Sequence, residues 1–271
     1  MPELPEVETI ARGLHKRVGG DVIESVWIGD KSNLLKSPAA DIARTLEGAR
    51  VVAFRRVGKH MVADLAERDG TPRAQWVIHL GMTGRMLVCD GQSEQARHTH
   101  LIATLESGRE LRFVDPRRFG KLQVLPSEAF QAAGSEPIGA DREKFIALFK
   151  GRKTPIKSAL LNQKLLSGIG NIYADESLFR AGVRPRRRAA SLARAELLKL
   201  HAAIQEVLAE AIEAGGSSVS DYVDATGDAG YFQLQHRVYQ REGEPCLVCG
   251  TAIKRVVIAG RSSHYCPMCQ R

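Results

Sequence analysis

No segment of this sequence approaches the roughly 20 consecutive apolar residues needed to cross a bilayer. The opening, MPELPEVETIARGLHKR, begins acidic and lacks the unbroken apolar stretch of a secretory signal. A cytoplasmic location is therefore expected. Cysteine is scarce, five in 271 residues, and four stand near the C-terminus in two pairs, which points to metal and away from a disulfide framework. The fifth, Cys89, follows the apolar run Met86-Leu87-Val88 and reads as a buried, inert thiol. Acidic residues are outnumbered: 31 Asp and Glu against 39 Lys and Arg leave a net charge of +8 and a pI near 9.4, which suits a polyanionic partner. From Arg237 to Arg271 six basic residues face two acidic ones, so half of that net charge lies at the end of the chain. No internal repeat or low-complexity tract occurs, and 44% hydrophobic content over this length can fill one large domain or two ordinary ones.

What is present falls into two kinds of pattern. Between Asp21 and Leu125, short β-type runs separated by turn residues predict strands at Val22 to Ile28, Arg50 to Val57, Met61 to Leu65, Trp76 to Leu80, Leu101 to Leu105, Glu110 to Val114 and Lys121 to Leu125, a sandwich or barrel. Ser107-Gly108 marks a hairpin turn. Ahead of the strands, Val7, Ile10 and Leu14 have helical spacing within Pro2 to Val18. Gly and Pro near 136–141 then break the pattern, and helices take over. Thr154-Pro155 predicts a helix start running to about Lys164, Ile172 to Ala181 a second helix ended by Gly182, and the stripe Leu197, Leu200, Ile204, Val207, Leu208, Ala211 a third, closed by Gly215-Gly216. The polar stretch from Ser217 to Tyr231 is long enough to be a functional loop. The expected class is therefore α+β and multidomain, with divisions at 1–135, 136–236 and 237–271.

Cys246, Cys249, Cys266 and Cys269 form C-x2-C-x16-C-x2-C, a spacing in which two tight knuckles present four thiolates to one Zn2+. Four protein ligands leave no open position, so the zinc is expected to be structural. Ile253 to Ala259 and Arg261 to Tyr265 predict a hairpin turning at Gly260, with Arg261 at its tip. A zinc ribbon can be a stability staple or a nucleic-acid binder; the positive charge around this one favours DNA, held with strong salt dependence.

Pro2-Glu3-Leu4-Pro5-Glu6 suits the first turn of a helix on general grounds. In company with RRVGKH at 55–60, HLGMTG at 79–84, DPRRFG at 115–120, GIGNIYADESLF at 168–179 and GRSSHYCPMCQR at 260–271, however, the opening MPELPEVET resembles that of the bacterial formamidopyrimidine-DNA glycosylases, and the likeness runs from the first residue to the last. The resemblance implies an N-terminal β-sandwich domain with flanking helices, then a helical domain with a helix-two-turns-helix motif and a zinc-finger β-hairpin, DNA lying in the cleft between. It implies excision of oxidised purines, 8-oxoguanine and formamidopyrimidines, from double-stranded DNA, with nicking at the resulting abasic site, by a monomer at the nucleoid.

By the same resemblance, loss of Met1 exposes Pro2, whose amine attacks the sugar C1′, expels the base and forms a Schiff base that eliminates on both sides. Glu3 is then the proton donor, and Lys59 and Arg261 assist through the phosphates and the later eliminations. The chemistry is sound: an α-amino group has a pKa near ~8, so part of it is free amine at neutral pH, and Glu3 and Glu6 could shuttle protons beside it. His98, Lys153, Lys157 and Asn171 are implied as phosphate contacts, Met82, Arg117 and Phe119 as the residues inserted where the base is extruded, and 217–232 as the loop that closes over it. Met82 and Phe119 could equally be core, and Arg117 could pair with Asp115. The basic run Arg184, Arg186, Arg187, Arg188 reads as a solvated face. Two other readings are endonuclease VIII, a pyrimidine-preferring relative that typically has glycine where this chain has Leu4, and a non-catalytic zinc-ribbon DNA-binding protein.

Overall fold

The computed structural model describes residues 1–30, 32–218 and 223–271. They form two compact units, Met1–Gln131 with Ala214–Tyr231, and Ala132–Glu213 with Phe232–Arg271. No helix among the described residues is long and apolar enough to cross a membrane.

In the first unit α1 (Leu4–Val18) buries Leu4, Val7, Ile10, Ala11, Leu14 and Val18, the three-and-four spacing of one helix face. Eight strands follow: β1 (Ile23–Ile28), β2 (Arg50–Val57), β3 (His60–Ala66), β4 (Pro72–His79), β5 (Arg85–Asp90), β6 (Thr99–Leu105), β7 (Arg109–Val114) and β8 (Lys121–Leu125), with α2 (Ala39–Leu46) between β1 and β2. They make two antiparallel four-stranded sheets, ordered β1-β6-β7-β5 and β2-β3-β4-β8. Inward residues of both sheets, among them Leu101, Leu111 and Phe113 from one and Met61, Trp76 and Ile78 from the other, share a single core with α1, so the unit is a sandwich. Gly108, at φ 80, makes the β6–β7 turn. Two elements of this unit, α2 and β5, are not among those expected from sequence, nor is α3 (Arg142–Ala147) of the second. Cys89 lies on β5 opposite Glu110 and is half-buried, because Met86 and Val88 take the inward positions.

The second unit contains α3 (Arg142–Ala147), α4 (Ile156–Leu160), α5 (Asn171–Ala181), α6 (Arg194–Glu213) and the hairpin β9 (Lys254–Ile258) and β10 (Arg261–Tyr265). The helix expected to reach Lys164 stops at Leu160. Beyond it Gln163 ties the turn together, its Nε2 donating to Ile169 O (2.8 Å) and its Oε1 accepting from Gly168 N (2.9 Å). Gly182 closes α5 at φ 72, as an αL cap. The β9–β10 turn has Ala259 at φ 47 and Gly260 at φ 75, both positive as a tight two-residue hairpin requires.

Residues 214–218 and 223–231 are expected from sequence to belong to the helical domain, yet they group with the sandwich. Tyr231 N donates to Ala214 O at the neck of this loop, and Val88 N, on edge strand β5, donates to Ala225 O at 3.1 Å. Ala225 is buried in the sandwich core, and a Cβ on Gly13 of α1 would lie 3.2 Å from its own.

Candidate active site and nucleic-acid interface

Glu3 is the N-cap of α1. It forms a reciprocal capping box with Glu6, whose Oε2 accepts the Glu3 N–H at 2.7 Å. The other oxygen of Glu6 accepts Ser217 N–H at 2.8 Å, so one buried carboxylate holds both the start of α1 and the start of the 217–232 stretch. Pro2, Glu3 and Glu6 are all buried. Lys59, also buried, occupies the β2–β3 turn with Gly58 at φ 61. That turn is braced against α1 by Arg56, whose Nε meets Glu8 at 2.8 Å while its Nη1 donates to Gly58 O at 3.3 Å.

Behind Lys59 lie two histidines, His60 and His79, with ring centroids 4.8 Å apart. Burial, then His79 and Lys36, push His60 down to about 4. Burial, then Lys59, Lys36 and Lys121, lower His79. His79 is thus neutral at physiological pH, and its Nδ1 accepts Gly81 N–H at 3.1 Å, anchoring the turn that carries Met82.

Met82, Arg117 and Phe119 sit on two loops stitched into one platform. Buried Asp115 accepts from Thr83 Oγ1 (2.6 Å) and Gly120 N (2.8 Å), and Thr83 Oγ1 accepts in turn from Arg117 N (3.3 Å). Gly81, at φ 65, passes so near the second loop that a Cβ there would lie 2.5 Å from the Phe119 carbonyl carbon; one on Gly120 would lie 2.5 Å from the Phe113 ring. Met82 and Phe119 are 41% and 50% exposed, so they are not core. Arg117 is exposed, with its guanidinium 4.7 Å from the Phe119 ring centroid; Asp115 is occupied elsewhere. His98, at φ 67, is exposed, and its carbonyl accepts Asp115 N–H at 3.0 Å.

In the second unit Lys153 and Arg261 are exposed. Asn171 opens α5 and donates from Nδ2 to Ser262 Oγ at 3.2 Å. Lys157 corrects the sequence reading. Expected on a phosphate, it is fully buried, with Nζ 2.7 Å from Asp175 Oδ1 and donating to Ser262 O at 2.6 Å. The arginine run is also less free than expected: Arg184 donates to Gln270 O and Pro267 O, and Arg187 pairs with Glu196.

The four cysteine sulfurs lie within 4.8 Å of one another. Cys246 and Cys269 are 3.9 Å apart and Cys249 and Cys266 3.4 Å, close to the roughly 3.8 Å edge of a tetrahedron with Zn–S bonds of about 2.3 Å. Val248 N donates to Cys246 Sγ and Cys269 N to Cys266 Sγ, so each knuckle turns its amides onto its own sulfur. This donor set fits one structural zinc.

Family profiles match in the same order. The Formamidopyrimidine-DNA glycosylase N-terminal domain covers residues 1–122, the Formamidopyrimidine-DNA glycosylase H2TH domain 134–223, and the zinc finger found in FPG and IleRS 243–271. Proteins named formamidopyrimidine-DNA glycosylase from Solibacter usitatus and Cereibacter sphaeroides are 47% and 44% identical, each over all of this chain and all of their own. The chain belongs to the formamidopyrimidine-DNA glycosylase family. Among solved structures, the MutM (Fpg) protein from Thermus thermophilus superposes at TM-score 0.86 with 40% identity, over 99% of this chain and 98% of its own. The Lactococcus lactis Fpg in complex with abasic-site DNA does so at 0.90 with 30% identity, over 99% of each.

Several residues that hold this family member's site together escape sequence reasoning. Asp115 suggests from sequence only a partner for Arg117, although the glycines around it hint at a tight loop. Glu176 accepts three successive amides, from Arg237, Val238 and Tyr239, at 2.8 to 3.0 Å, and burial pushes its carboxyl up. Gln270, fully buried, accepts from Cys266 N and donates to Val183 O, pinning the second knuckle beside α5. Glu176 carries no local signal, since the amides it holds are distant in sequence, and Gln270 joins its neighbour Cys266 to the equally distant Val183.

Proposed function

We propose that this protein removes oxidised purines from double-stranded DNA and nicks the abasic product, with the amine of Pro2, freed by loss of Met1, as nucleophile. The observation that carries this reading is the buried capping box at Pro2-Glu3-Glu6: two carboxylates converge on the residues flanking the amine, where one can give up a proton and the other hold the helix start in place. Met1 is half exposed and open to removal. Attack on C1′ forms the C1′–N bond and expels the base, a proton being supplied from Glu3; the Pro2 nitrogen gives up its proton, and opening of the C1′–O4′ bond, with O4′ taking up a proton, leaves a Schiff base at Pro2. Its iminium draws electrons from the sugar, so β- then δ-elimination break the strand on both sides.

Lys59, on the turn braced against α1, and Arg261, at the zinc hairpin, neutralise phosphates flanking the lesion. His98, Lys153 and Asn171 hold the backbone further out. Met82, Phe119 and Arg117 fill the space left by the extruded nucleotide, and 217–232, of which 219–222 lie outside the described residues, closes over the base. The sandwich carries the chemistry, the helical region and zinc hairpin the grip, and the enzyme works as a monomer in the cytoplasm, at the nucleoid. Duplexes carrying 8-oxoguanine or thymine glycol, incubated with borohydride, test this. Covalent trapping on the 8-oxoguanine duplex is expected; a preference for thymine glycol would move the protein to the pyrimidine branch, and no adduct on either would refute the enzyme.

A further inference from the structure

We propose that Lys157 is a positioning residue: through the carbonyl of Ser262 it fixes the hairpin tip that presents Arg261, with Asp175 as its buried counter-charge. The inference rests on the reading above, in which Arg261 meets a DNA phosphate. Both side chains of the pair are fully buried, 0% exposed, with Nζ 2.7 Å from Asp175 Oδ1 and 2.6 Å from Ser262 O. The second oxygen of Asp175 accepts His264 N–H at 2.9 Å. Asn171 Nδ2, one helical turn before Asp175, reaches Ser262 Oγ at 3.2 Å. Strand β10 is thus gripped at Ser262 and His264, the positions just after Arg261, from α4 and α5 together.

Direction is the point of this arrangement. A buried ion pair adds little stability that two well-packed apolar side chains would not, but an apolar side chain cannot hold a carbonyl. Arg261 is exposed, next to the Ala259–Gly260 turn, and lies opposite Ile258 across the hairpin. The register of Ser262 therefore decides where the guanidinium starts from. A lysine so enclosed cannot itself meet a phosphate, so its influence on DNA must pass through the residue it orients.

The test is a double-mutant cycle read as the salt dependence of binding, using the zinc-loaded full chain and a duplex containing a tetrahydrofuran abasic analogue. Each phosphate neutralised contributes about 0.9 to the slope of log K against log salt. Lys157→Met and Arg261→Ala should each lower that slope by about this amount and weaken binding roughly tenfold at moderate salt. In the Arg261→Ala background, Lys157→Met should change neither slope nor affinity further, with zinc still at one per chain. A further fall of about 0.9 in the slope of the double variant would mean that Lys157 touches DNA itself, and an unchanged slope in Lys157→Met would mean that it does not steer Arg261; either overturns the proposal. Should Lys157→Met not fold, the pair Lys157→Met with Asp175→Asn, which leaves no buried lone charge, enters the same cycle. If wild type fails to bind the analogue or to trap on 8-oxoguanine, the functional reading has failed; if wild type does both and the cycle is additive, only the positioning role has.

Discussion

At the head of α1, Glu3 and Glu6 complete each other's hydrogen bonds within three residues of chain, whereas Arg261 follows a hairpin held by a lysine 105 residues away from Ser262 and by four cysteines in two pairs. The capping box at the head of α1 is local, and a large shared core backs it. The hairpin end has a small core of Val238, Cys246, Ile253 and Cys266 with Phe179 and Cys269 against it, and so relies on metal and long-range polar contacts. The difference teaches that the two ends should fail separately: chemistry can be lost with grip intact, and grip with chemistry intact.

The largest separation is expected at Pro2. A permanent N-terminal extension converts its nitrogen to an amide, and borohydride trapping should fall at least about a thousandfold. Affinity for abasic-analogue duplex, measured in parallel, should change by no more than roughly threefold, since phosphate contacts are untouched. Trapping at the normal rate by an extended protein would move the nucleophile to a lysine, with Lys59 the next candidate.

Cys249→Ser should do the reverse, more mildly. Zinc should drop from one per chain, seen by metal analysis, and DNA affinity should weaken on the order of 10- to 100-fold as the hairpin loses its order. The thermal transition of the sandwich should barely shift. Purified wild type without stoichiometric zinc would remove the basis of the contrast.

The smallest effect concerns pH. His60 titrates at about 4 in the folded chain against 6.5 ordinarily, and His79 is lowered as well, both chiefly by burial. An unfolded chain therefore binds protons between pH 6.5 and 4 that the folded sandwich refuses, and stability present above pH 6.5 is lost as pH falls through that window. Because His60 keeps some contact with solvent, the loss by about pH 5 should be on the order of 1 kcal/mol. Thermal melts of His60→Phe at about pH 7 and about pH 5 should show a smaller acid drop than wild type; an equal drop would assign the acid weakness to other groups.

The same contrast explains what can be read in the sequence. The β-type runs Arg50–Val57 and Lys121–Leu125, the stripe of α6 and the C-x2-C pairs are signals written over a few residues, and the corresponding elements form. β5 escapes notice because Met86-Leu87-Val88 reads as one apolar run when the opposing strand is not known. α2 begins behind Ser37-Pro38, a start of the same kind as Thr154-Pro155, and escapes notice because its eight residues give too short a pattern to read. Lys157 is assigned to a phosphate only through the resemblance, and tertiary packing, which no local pattern shows, brings Asp175 and Ser262 to it instead. The expectations at Pro2, Met82 and Phe119 come from whole strings resembling a family, and the structure adds why the strings around Met82 and Phe119 hold their glycines and Asp115.

Met82 and Phe119 have one further consequence. A large apolar side chain held half in water gives up on the order of 1 kcal/mol that burial would return, and collapse onto the sandwich would ordinarily recover it. The Asp115 braces and the close backbone approaches at Gly81 and Gly120 forbid that collapse. The platform therefore carries a wetting cost in the resting protein that any narrow apolar slot, the gap between two stacked bases included, can relieve on contact. In the insertion proposed above, burying these two side chains between bases offsets part of the work of separating them.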